Sequence, residues 1–357
     1  MLSVRIRKAL REFPLEVAFD VNPSETLVIV GPSGCGKTTT LNVVAGLIRP
    51  DEGRITLGER TLWERGPGVR TSVLAEKRNV GYVFQDFALF PHLSVGENVA
   101  YGLRARRAPR REIGPRVEEA LRLLGISHLK RHRPGSLSGG ERQRVALARA
   151  IVCDSEILLL DEPLGSLDAQ TRNRVRGDLQ NVLQSLGRIA IVVTHDFLDA
   201  LTFGDRICVL DRGQMLQLGD RREILMRPRS RFVAELTGVN FYEGSAAPGA
   251  ANGLTEVRVG GTSVYVDSGQ APAGETLLTF FPSDVVLTRE RPSQPDSNVF
   301  RAEVRDVMHM GDKVRVYLNG TLAMTAEVTA SALEELGLAE GDTVFAAVPA
   351  SVVRTYH

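Results

Sequence analysis

The chain has 357 residues, of which 43% are hydrophobic, and its 44 basic and 43 acidic residues leave a formal net charge of +1. This length exceeds that of an ordinary single domain, so we expect two globular domains, each with its own core. The balanced charge argues against nucleic acid as a partner, and three widely spaced cysteines argue against a disulfide framework and for a reducing compartment.

The first feature along the chain is a phosphate-binding loop. Residues 1 to about 25 alternate as paired strands do, an apolar strand is predicted at 26–30, and residues 41–47 are helix-compatible. Between them, residues 31–38 match G-x-x-x-x-G-K-[ST], a loop whose backbone N–H groups face phosphates at a helix N-terminus. The pattern predicts a triphosphate site in which Lys37 reaches the β- and γ-phosphates and Thr38 holds Mg²⁺. The predicted nucleotide contacts here are Gly31, Ser33, Gly34, Cys35, Gly36, Lys37, Thr38 and Thr39.

A charged helical region follows at 93–132. Its apolar residues Val117, Ala120, Leu121 and Leu124 are spaced to bury one helix face. The arginines between 104 and 111 have no aromatic residues among them, which favours a solvated helix face over a nucleic-acid site.

Two further segments predict the remainder of an ATPase site. Residues 137–141, Leu-Ser-Gly-Gly-Glu, form a second glycine-containing helix start that can accept an anion. Four apolar residues at 157–160 end in Asp161 and Glu162, which predicts a buried parallel strand whose carboxyl end enters a ligand crevice. There, Asp161 is expected to assist Mg²⁺, and Glu162 is expected to polarise the attacking water.

These segments together resemble ABC-type ATPases, whose signature motif is matched by residues 137–141. The resemblance implies an α/β P-loop NTPase domain with an inserted helical subdomain at about 88–150. It also implies a homodimer in which each ATP lies between the phosphate loop of one subunit and the signature motif of the other. Ser138, Gly139 and Gly140 are therefore expected to contact ATP held by the partner.

The same resemblance assigns other residues to the site. Gln85 matches the Q-loop and is implied to link the γ-phosphate, Mg²⁺ and the transmembrane partner. His195 matches the switch histidine that contacts the γ-phosphate, and Ser166-Leu167-Asp168 match the D-loop, with Asp168 among the ATP contacts. Both Gln85 and His195 follow predicted strands, at the sheet edge where ligands bind.

Two assignments remain open at this level. Phe13 is the best-placed residue to stack on adenine, but it can equally pack within a small β-layer, and Phe19 lies close by. The cluster after Gln85 either lines a groove for a helix of the membrane subunit or belongs to the core. This cluster consists of Phe87, Leu89, Phe90 and Leu93.

A second domain is predicted from 238 to 357, after an ATPase domain at 1–237. Short β-rich runs alternate there with Gly, Pro, Asn and Asp turns, and 292–298 is predicted to be a loop between two halves of a small barrel. The region resembles the OB-like, molbindin-like TOBE regulatory domain of molybdate-importer ATPases. Residues 281–284 are Phe-Pro-Ser-Asp where many relatives have Arg-Pro-Glu, so a role carried by that arginine does not transfer.

The resemblance implies the ATP- and Mg²⁺-dependent subunit of an importer, most similar to those for molybdate or tungstate. No run of about 18 apolar residues and no signal peptide is present, so we expect a peripheral protein on the cytoplasmic face of the inner membrane. Its expected partners are a second copy, two transmembrane permease subunits and a periplasmic or lipid-anchored solute-binding protein. A regulatory oxyanion on the C-terminal domain is possible, and no nucleic-acid partner is expected.

Other interpretations stay open. The importer can serve sulfate or thiosulfate, ferric iron, polyamines or sugars, and the C-terminal domain can simply steady the dimer. Two further classes are a soluble ABC ATPase outside transport and an oxyanion store or sensor. A single cassette without sustained heptads disfavours the soluble machines.

Overall fold

A computed structural model describes residues 1–165, 167–251, 253–267, 274–292 and 297–357, without the side chains of 169 and 247–251. Ser166 of the predicted D-loop and most of the predicted 292–298 loop lie outside the described residues. Two compact units are present, Met1–Arg221 and Arg222–His357.

The first unit is built on an 11-stranded sheet with strand order β6-β5-β4-β1-β2-β11-β10-β3-β9-β8-β7. The strands from β10 to β7 in this order run parallel, whereas the other end of the sheet is mostly antiparallel. The strands are β1 (Leu2–Ala9), β2 (Pro14–Val21), β3 (Thr26–Val30), β4 (Glu52–Leu57), β5 (Arg60–Gly66), β6 (Val69–Ser72), β7 (Val80–Val83), β8 (Ile157–Asp161), β9 (Ile189–Thr194), β10 (Arg206–Asp211) and β11 (Gln214–Asp220).

The central parallel strands carry the core of this unit. Every residue of β3, β8 and β9 is buried, which explains why these strands are continuous apolar runs rather than alternating ones. The carboxyl ends of such strands share one edge of the sheet, so residues that follow them are brought together.

Helices connect these strands, except α7 (Arg221–Met226), which follows β11 and lies almost wholly in the second unit. They are α1 (Lys37–Ala45), α2 (Val95–Ala105), α3 (Arg110–Leu123), α4 (Gly139–Ile151), α5 (Ala169–Leu186), α6 (Phe197–Phe203) and α7 (Arg221–Met226). Three of them, α2, α3 and α4, occupy the region predicted to hold the helical subdomain. Val117, Ala120, Leu121 and Leu124 are all buried, as the helical spacing predicted.

The second unit contains two five-stranded sheets, ordered β14-β13-β12-β15-β21 and β16-β20-β17-β18-β19. Apolar side chains from both sheets form one core, which includes Val257, Phe280, Val304 and Val344. The elements are α8 (Arg231–Thr237), β12 (Asn240–Ala251), β13 (Leu254–Val259), β14 (Thr262–Asp267), β15 (Gly274–Phe280), β16 (Val286–Thr288), β17 (Ser297–Met310), β18 (Lys313–Gly320), β19 (Met324–Thr329), α9 (Ala330–Leu336), β20 (Thr343–Pro349) and β21 (Arg354–Tyr356).

The division between the units falls earlier than the predicted domain boundary at 237–238. Residues after Arg221 group with the C-terminal sheets because they hydrogen-bond to them: the Tyr356 hydroxyl donates to Pro228 O across 2.7 Å. Helical periodicity alone does not reveal which domain a helix packs on, and the predicted ATPase domain at 1–237 therefore includes residues 222–237. In the described part of the chain, no helix is long and apolar enough to cross a bilayer.

Candidate functional site

The loop after β3 has the backbone that a phosphate cradle requires. Gly34 and Gly36 adopt positive φ angles of 83° and 110°, and α1 begins directly after Gly36. A Cβ added to Gly31 would lie 1.9 Å from Leu210 O, so only glycine allows this close approach of β3 to β10. The N–H groups of the first turn of α1 are therefore available to an anion.

Two side chains of this loop have defined partners. Lys37 is buried, and its Nζ donates to Gly31 O and Pro32 O, both at 2.8 Å, so its ammonium group lies along the loop. Thr38 Oγ1 donates to Asp161 Oδ1 across 2.9 Å, which joins the start of α1 to the end of β8. A hydroxyl and a carboxylate placed together are the hard oxygen ligands that Mg²⁺ takes.

Burial changes the chemistry of this carboxylate. Desolvation raises the pKa of Asp161, with the neighbouring Glu162 adding to the rise, and the hydrogen bond from Thr38 opposes it. Within the described residues, no group of three or more His, Cys, Asp or Glu side chains forms a ready-made metal site. The hydroxyl of Thr38 and the carboxylate of Asp161 suit an ion that keeps water and phosphate oxygens as its other ligands, as Mg²⁺ does.

Tyr82 is a neighbour of this pair that the sequence did not single out. Its hydroxyl lies 3.4 Å from Asp161 Oδ2 and 3.2 Å from Asn42 Oδ1. Burial raises its pKa, so the phenol stays protonated and serves as a donor. The sequence feature that could have indicated Tyr82 is an aromatic residue with a polar hydroxyl inside the short strand β7, which pairs with the strand that ends in Asp161.

Gln85, Glu162 and His195 meet at the carboxyl edge of the sheet. Gln85 Nε2 donates to Glu162 Oε2 across 3.3 Å, and His195 Nδ1 lies 3.3 Å from Glu162 Oε1. Glu162 is a non-glycine residue with a φ of 43°, a left-handed conformation held by its N–H donating to Val193 O. This backbone turns the carboxylate towards the residues that follow β7 and β9, and strain of this kind clusters at functional sites.

A buried ion pair supports the segment that carries His195. Arg176 on α5 donates from Nε to Asp199 Oδ1 across 2.6 Å, and Thr194 Oγ1 donates to Asp199 Oδ2 at 3.3 Å. Desolvation raises the pKa of Asp199, whereas the contact with Arg176 lowers it. The end of β9 is thus tied to α5, the helix that begins after Asp168.

The predicted signature residues form a separate group at the start of α4. Ser138 caps this helix in a reciprocal box: its N–H and Oγ each donate to Glu141 Oε2 at 2.7 Å. A Cβ added to Gly139 would lie 2.9 Å from a methyl group of Leu167, so this turn sits against the loop ahead of α5. Ser138 is exposed, which leaves this helix start open to a ligand from outside the subunit.

Asp168 and Phe13 have local roles in the structure. The Asp168 side chain caps α5 by accepting from Thr171 N at 3.0 Å, and this hydrogen bond lowers its pKa. Phe13 lies in the turn between β1 and β2, half-buried, with its ring against the backbone of Gly213. That turn is near the cradle because Leu10 and Leu15 flank Gly36, but adenine stacking stays a prediction.

The cluster after Gln85 divides between core and surface. Phe87 is buried, with 4% of its surface exposed, and so belongs to the core. Leu89, Phe90 and Leu93 are half-buried, and the Phe90 ring packs on Tyr101 with centroids 4.5 Å apart. Tyr101 and Phe84 are exposed, so an aromatic surface does follow Gln85.

Comparisons with known proteins agree with this geometry. A family profile described as ABC transporter matches residues 15–165, and a TOBE domain profile matches residues 295–354. The molybdate/tungstate import ATP-binding protein of Pyrococcus horikoshii is 40% identical over 360 residues, which covers 100% of both chains. The molybdenum import ATP-binding protein of Mycobacterium tuberculosis is 36% identical over 99% of this chain and 97% of its own length.

A solved structure resembles the first unit. It is a dimeric ATP-binding cassette in a post-hydrolysis state bound to ADP and Pi, with 30% identity and a TM-score of 0.52. The match covers 62% of this chain and 98% of that chain. The predicted α/β P-loop fold with an all-β C-terminal domain is therefore confirmed.

Proposed function

The chain belongs to the ABC transporter family, as an import ATP-binding protein, and from this premise we propose that its ATPase drives uptake of molybdate or tungstate. The similarity to molybdate and tungstate import subunits extends over the full chain, including the C-terminal domain, and this supports molybdate or tungstate as the substrate. The single observation that carries the ATPase assignment is the meeting of Gln85, Glu162 and His195 beside the Thr38–Asp161 pair.

The residues of the cradle bind and orient the nucleotide. Gly31, Ser33, Gly34, Cys35 and Gly36 shape the loop, and the ammonium group of Lys37 and the N–H groups of Thr38 and Thr39 face the phosphates. Thr38, Asp161 and Gln85 would hold Mg²⁺, which would supply the positive charge that neutralises the triphosphate. Phe13 stacks on the adenine ring.

Hydrolysis depends on groups at the edge of β7, β8 and β9. Glu162 accepts a proton from the attacking water and orients it, which is worth roughly 10²–10⁴-fold in rate for a well-placed base. Gln85 and His195 contact the two oxygens of the Glu162 carboxylate. We infer that both side chains also face the γ-phosphate.

A second copy of the chain completes the site. The start of α4 at Ser138, Gly139 and Gly140, of which Ser138 is exposed, contacts ATP bound by the partner together with Asp168. The dimeric state of the solved cassette supports this arrangement. Closure brings the phosphates between two sets of helix N-terminal dipoles, and hydrolysis removes that attraction.

The remaining partners are membrane and periplasmic proteins. We infer two permease subunits, docked at the aromatic surface of Phe90 and Tyr101, and a solute-binding protein outside the membrane. Replacing Tyr101 with Ala tests the docking surface: the variant should keep ATP binding and lose recovery of the permease in a co-purification. We infer that the chain itself works at the cytoplasmic face of the inner membrane, as a peripheral subunit.

We infer that a cavity of the C-terminal unit, lined by two arginines and by Glu235, takes a regulatory oxyanion. It has a volume of 610 Å³ and is lined by Arg231 and Arg305, among others, with the Arg305 guanidinium 5.5 Å from the Tyr317 ring centroid. Titrating the full-length protein with molybdate tests this: saturable binding that Arg305→Met weakens supports regulation, and its absence favours a domain that only steadies the dimer.

The function is tested in proteoliposomes that contain the ATPase with its permease and binding protein. Molybdate and tungstate should stimulate ATP hydrolysis and accumulate inside, while sulfate at equal concentration should do neither. Uptake of sulfate alone would show that the substrate is sulfate and not molybdate or tungstate. Uptake without ATP hydrolysis would reject the ATPase role.

A further inference from the structure

Two consecutive residues beyond Gln85 have an unusual backbone. Phe87 and Ala88 adopt φ angles of 63° and 43°, although neither is glycine. A left-handed conformation is unfavourable for residues with a Cβ, and two in succession are rarer still. The turn is closed by Phe87 N donating to Phe84 O at 2.9 Å, so Gln85 lies inside it.

One side chain from a distant helix holds this turn. Arg149 Nη1 donates to Ala88 O across 2.6 Å, and Nη2 donates to Phe87 O across 2.7 Å. The same guanidinium lies 5.5 Å from the Phe90 ring centroid. The planar fork of arginine matches two adjacent carbonyl oxygens, and charge-assisted hydrogen bonds of this length are strong.

Arg149 lies in the last turn of α4, the helix that begins at Ser138–Gly140. Burial lowers its pKa, and the nearby Asp86 opposes that shift. A charged side chain here interrupts a helix segment that is otherwise apolar and buried, from Val145 to Ile151. A methionine would fill the same space in this helix, so packing alone does not explain the guanidinium group.

We propose that Arg149 is a positioning residue: by fixing the Phe87–Ala88 turn, it sets Gln85 against Glu162 and connects α4 to the hydrolytic site. This inference rests on the proposed ATPase function and deepens it. A shift of α4 on closure of the dimer moves the two carbonyl groups, and with them the Gln85 side chain, whose Nε2 is 3.3 Å from Glu162 Oε2.

The experiment measures ATP hydrolysis by the full-length chain in its permease complex, together with the Tm of each variant. Arg149→Met should lower kcat about tenfold, because a displaced positioning group costs rate, and should leave KM for ATP within about twofold. The kcat of Arg149→Lys should lie between those of the wild type and Arg149→Met, because one ammonium group cannot donate to both carbonyl oxygens in the geometry of a guanidinium. Arg122→Met, on the exposed side of α3, is the matched control.

A second-site change separates positioning from simple stability. Glycine adopts a φ of 43° without a clash, so Ala88→Gly should restore most of the lost kcat in the Arg149→Met background. Recovery of Tm without recovery of kcat would overturn the proposal, as would a wild-type kcat for Arg149→Met. If that variant does not fold, Arg149→Lys decides: reduced kcat at unchanged KM supports the role, and unchanged kcat rejects it.

The wild type and Glu162→Gln are assayed in parallel. Absence of Mg²⁺-dependent hydrolysis in the wild type would count against the proposed function itself. Wild-type hydrolysis that Glu162→Gln abolishes, with Arg149→Met fully active, would reject only the positioning role.

Discussion

Gln85 donates a hydrogen bond to Glu162 across 3.3 Å, although 77 positions separate them in the chain. The contact exists because β7 and β8 are parallel neighbours, so the residues after each strand meet at one edge of the sheet. His195 joins them from β9, the next strand along. The three groups therefore form one unit, and a change in any of them acts on the same carboxylate.

Replacing Glu162 with Gln tests the carboxylate with almost no change in shape. The amide still accepts from Gln85 but cannot take a proton, so ATP hydrolysis should fall at least about 100-fold. ATP binding should persist, and an ATP-dependent dimer should accumulate on size-exclusion chromatography. Glu156→Gln, remote on the chain surface, is the control, and near-normal hydrolysis by Glu162→Gln would refute the assigned role.

Thr38 provides a test of Mg²⁺ binding that is independent of the base. Thr38→Val keeps the shape of the side chain but removes the oxygen that contacts Asp161 Oδ1. We expect the apparent Mg²⁺ affinity for activation of hydrolysis to fall about tenfold or more, while Thr38→Ser stays close to wild type. Equal Mg²⁺ titration curves for the valine and serine variants would show that this hydroxyl is not a ligand.

Much of this site could be predicted from the sequence, because its parts are local. Consecutive residues are enough to recognise a glycine loop between a strand and a helix. The same holds for acidic residues at the end of an apolar run, so neither motif requires knowledge of the tertiary structure. Tyr82 and Arg149 were missed since their partners, Asp161 and the Phe87–Ala88 carbonyls, are distant in the chain.

The capping box of α4 predicts a pH dependence of stability. Hydrogen bonds from Ser138 hold the pKa of Glu141 below its ordinary value of 4.5. Stability from this carboxylate is therefore fully present above pH 4.5 and is lost as the pH falls through the lowered pKa. Glu141→Gln should lower the Tm near neutral pH slightly, by the equivalent of about 0.5 kcal/mol, because this carboxylate is partly exposed.

The difference between wild type and Glu141→Gln should close as the pH falls below 4.5, because the protonated acid resembles the amide. Calorimetric scans between pH 3 and pH 7 measure it, with Glu119→Gln on α3 as the control. A Tm difference that is constant across this range would show that the titration of Glu141 does not affect folding.

The buried guanidinium of Arg78 packs against Gly46, so we expect substitutions of these two residues to have coupled effects on the unfolding free energy. Its side chain is 1% exposed and donates to Val43 O and Val44 O at the end of α1, at 2.9 and 2.8 Å, and to Val73 O at 3.0 Å. Burial lowers its pKa to about 10, so it stays charged at neutral pH. Arg78→Met removes all three of these hydrogen bonds and should cost about 1–3 kcal/mol in unfolding free energy.

Gly46 lies directly against this guanidinium: an added Cβ would be 2.6 Å from Arg78 Nε, and the glycine has a φ of 83°. Gly46→Ala should therefore cost more than the roughly 1–2 kcal/mol of a left-handed alanine alone. Gly125→Ala measures that backbone cost by itself, since Gly125 has a φ of 66° and nothing within 4 Å of the added Cβ. In the Arg78→Met background the excess cost of Gly46→Ala should shrink, because the flexible methionine leaves room for the methyl group. Urea unfolding of the four species forms a double-mutant cycle, and strict additivity would mean that the contact between Gly46 and Arg78 carries no energy.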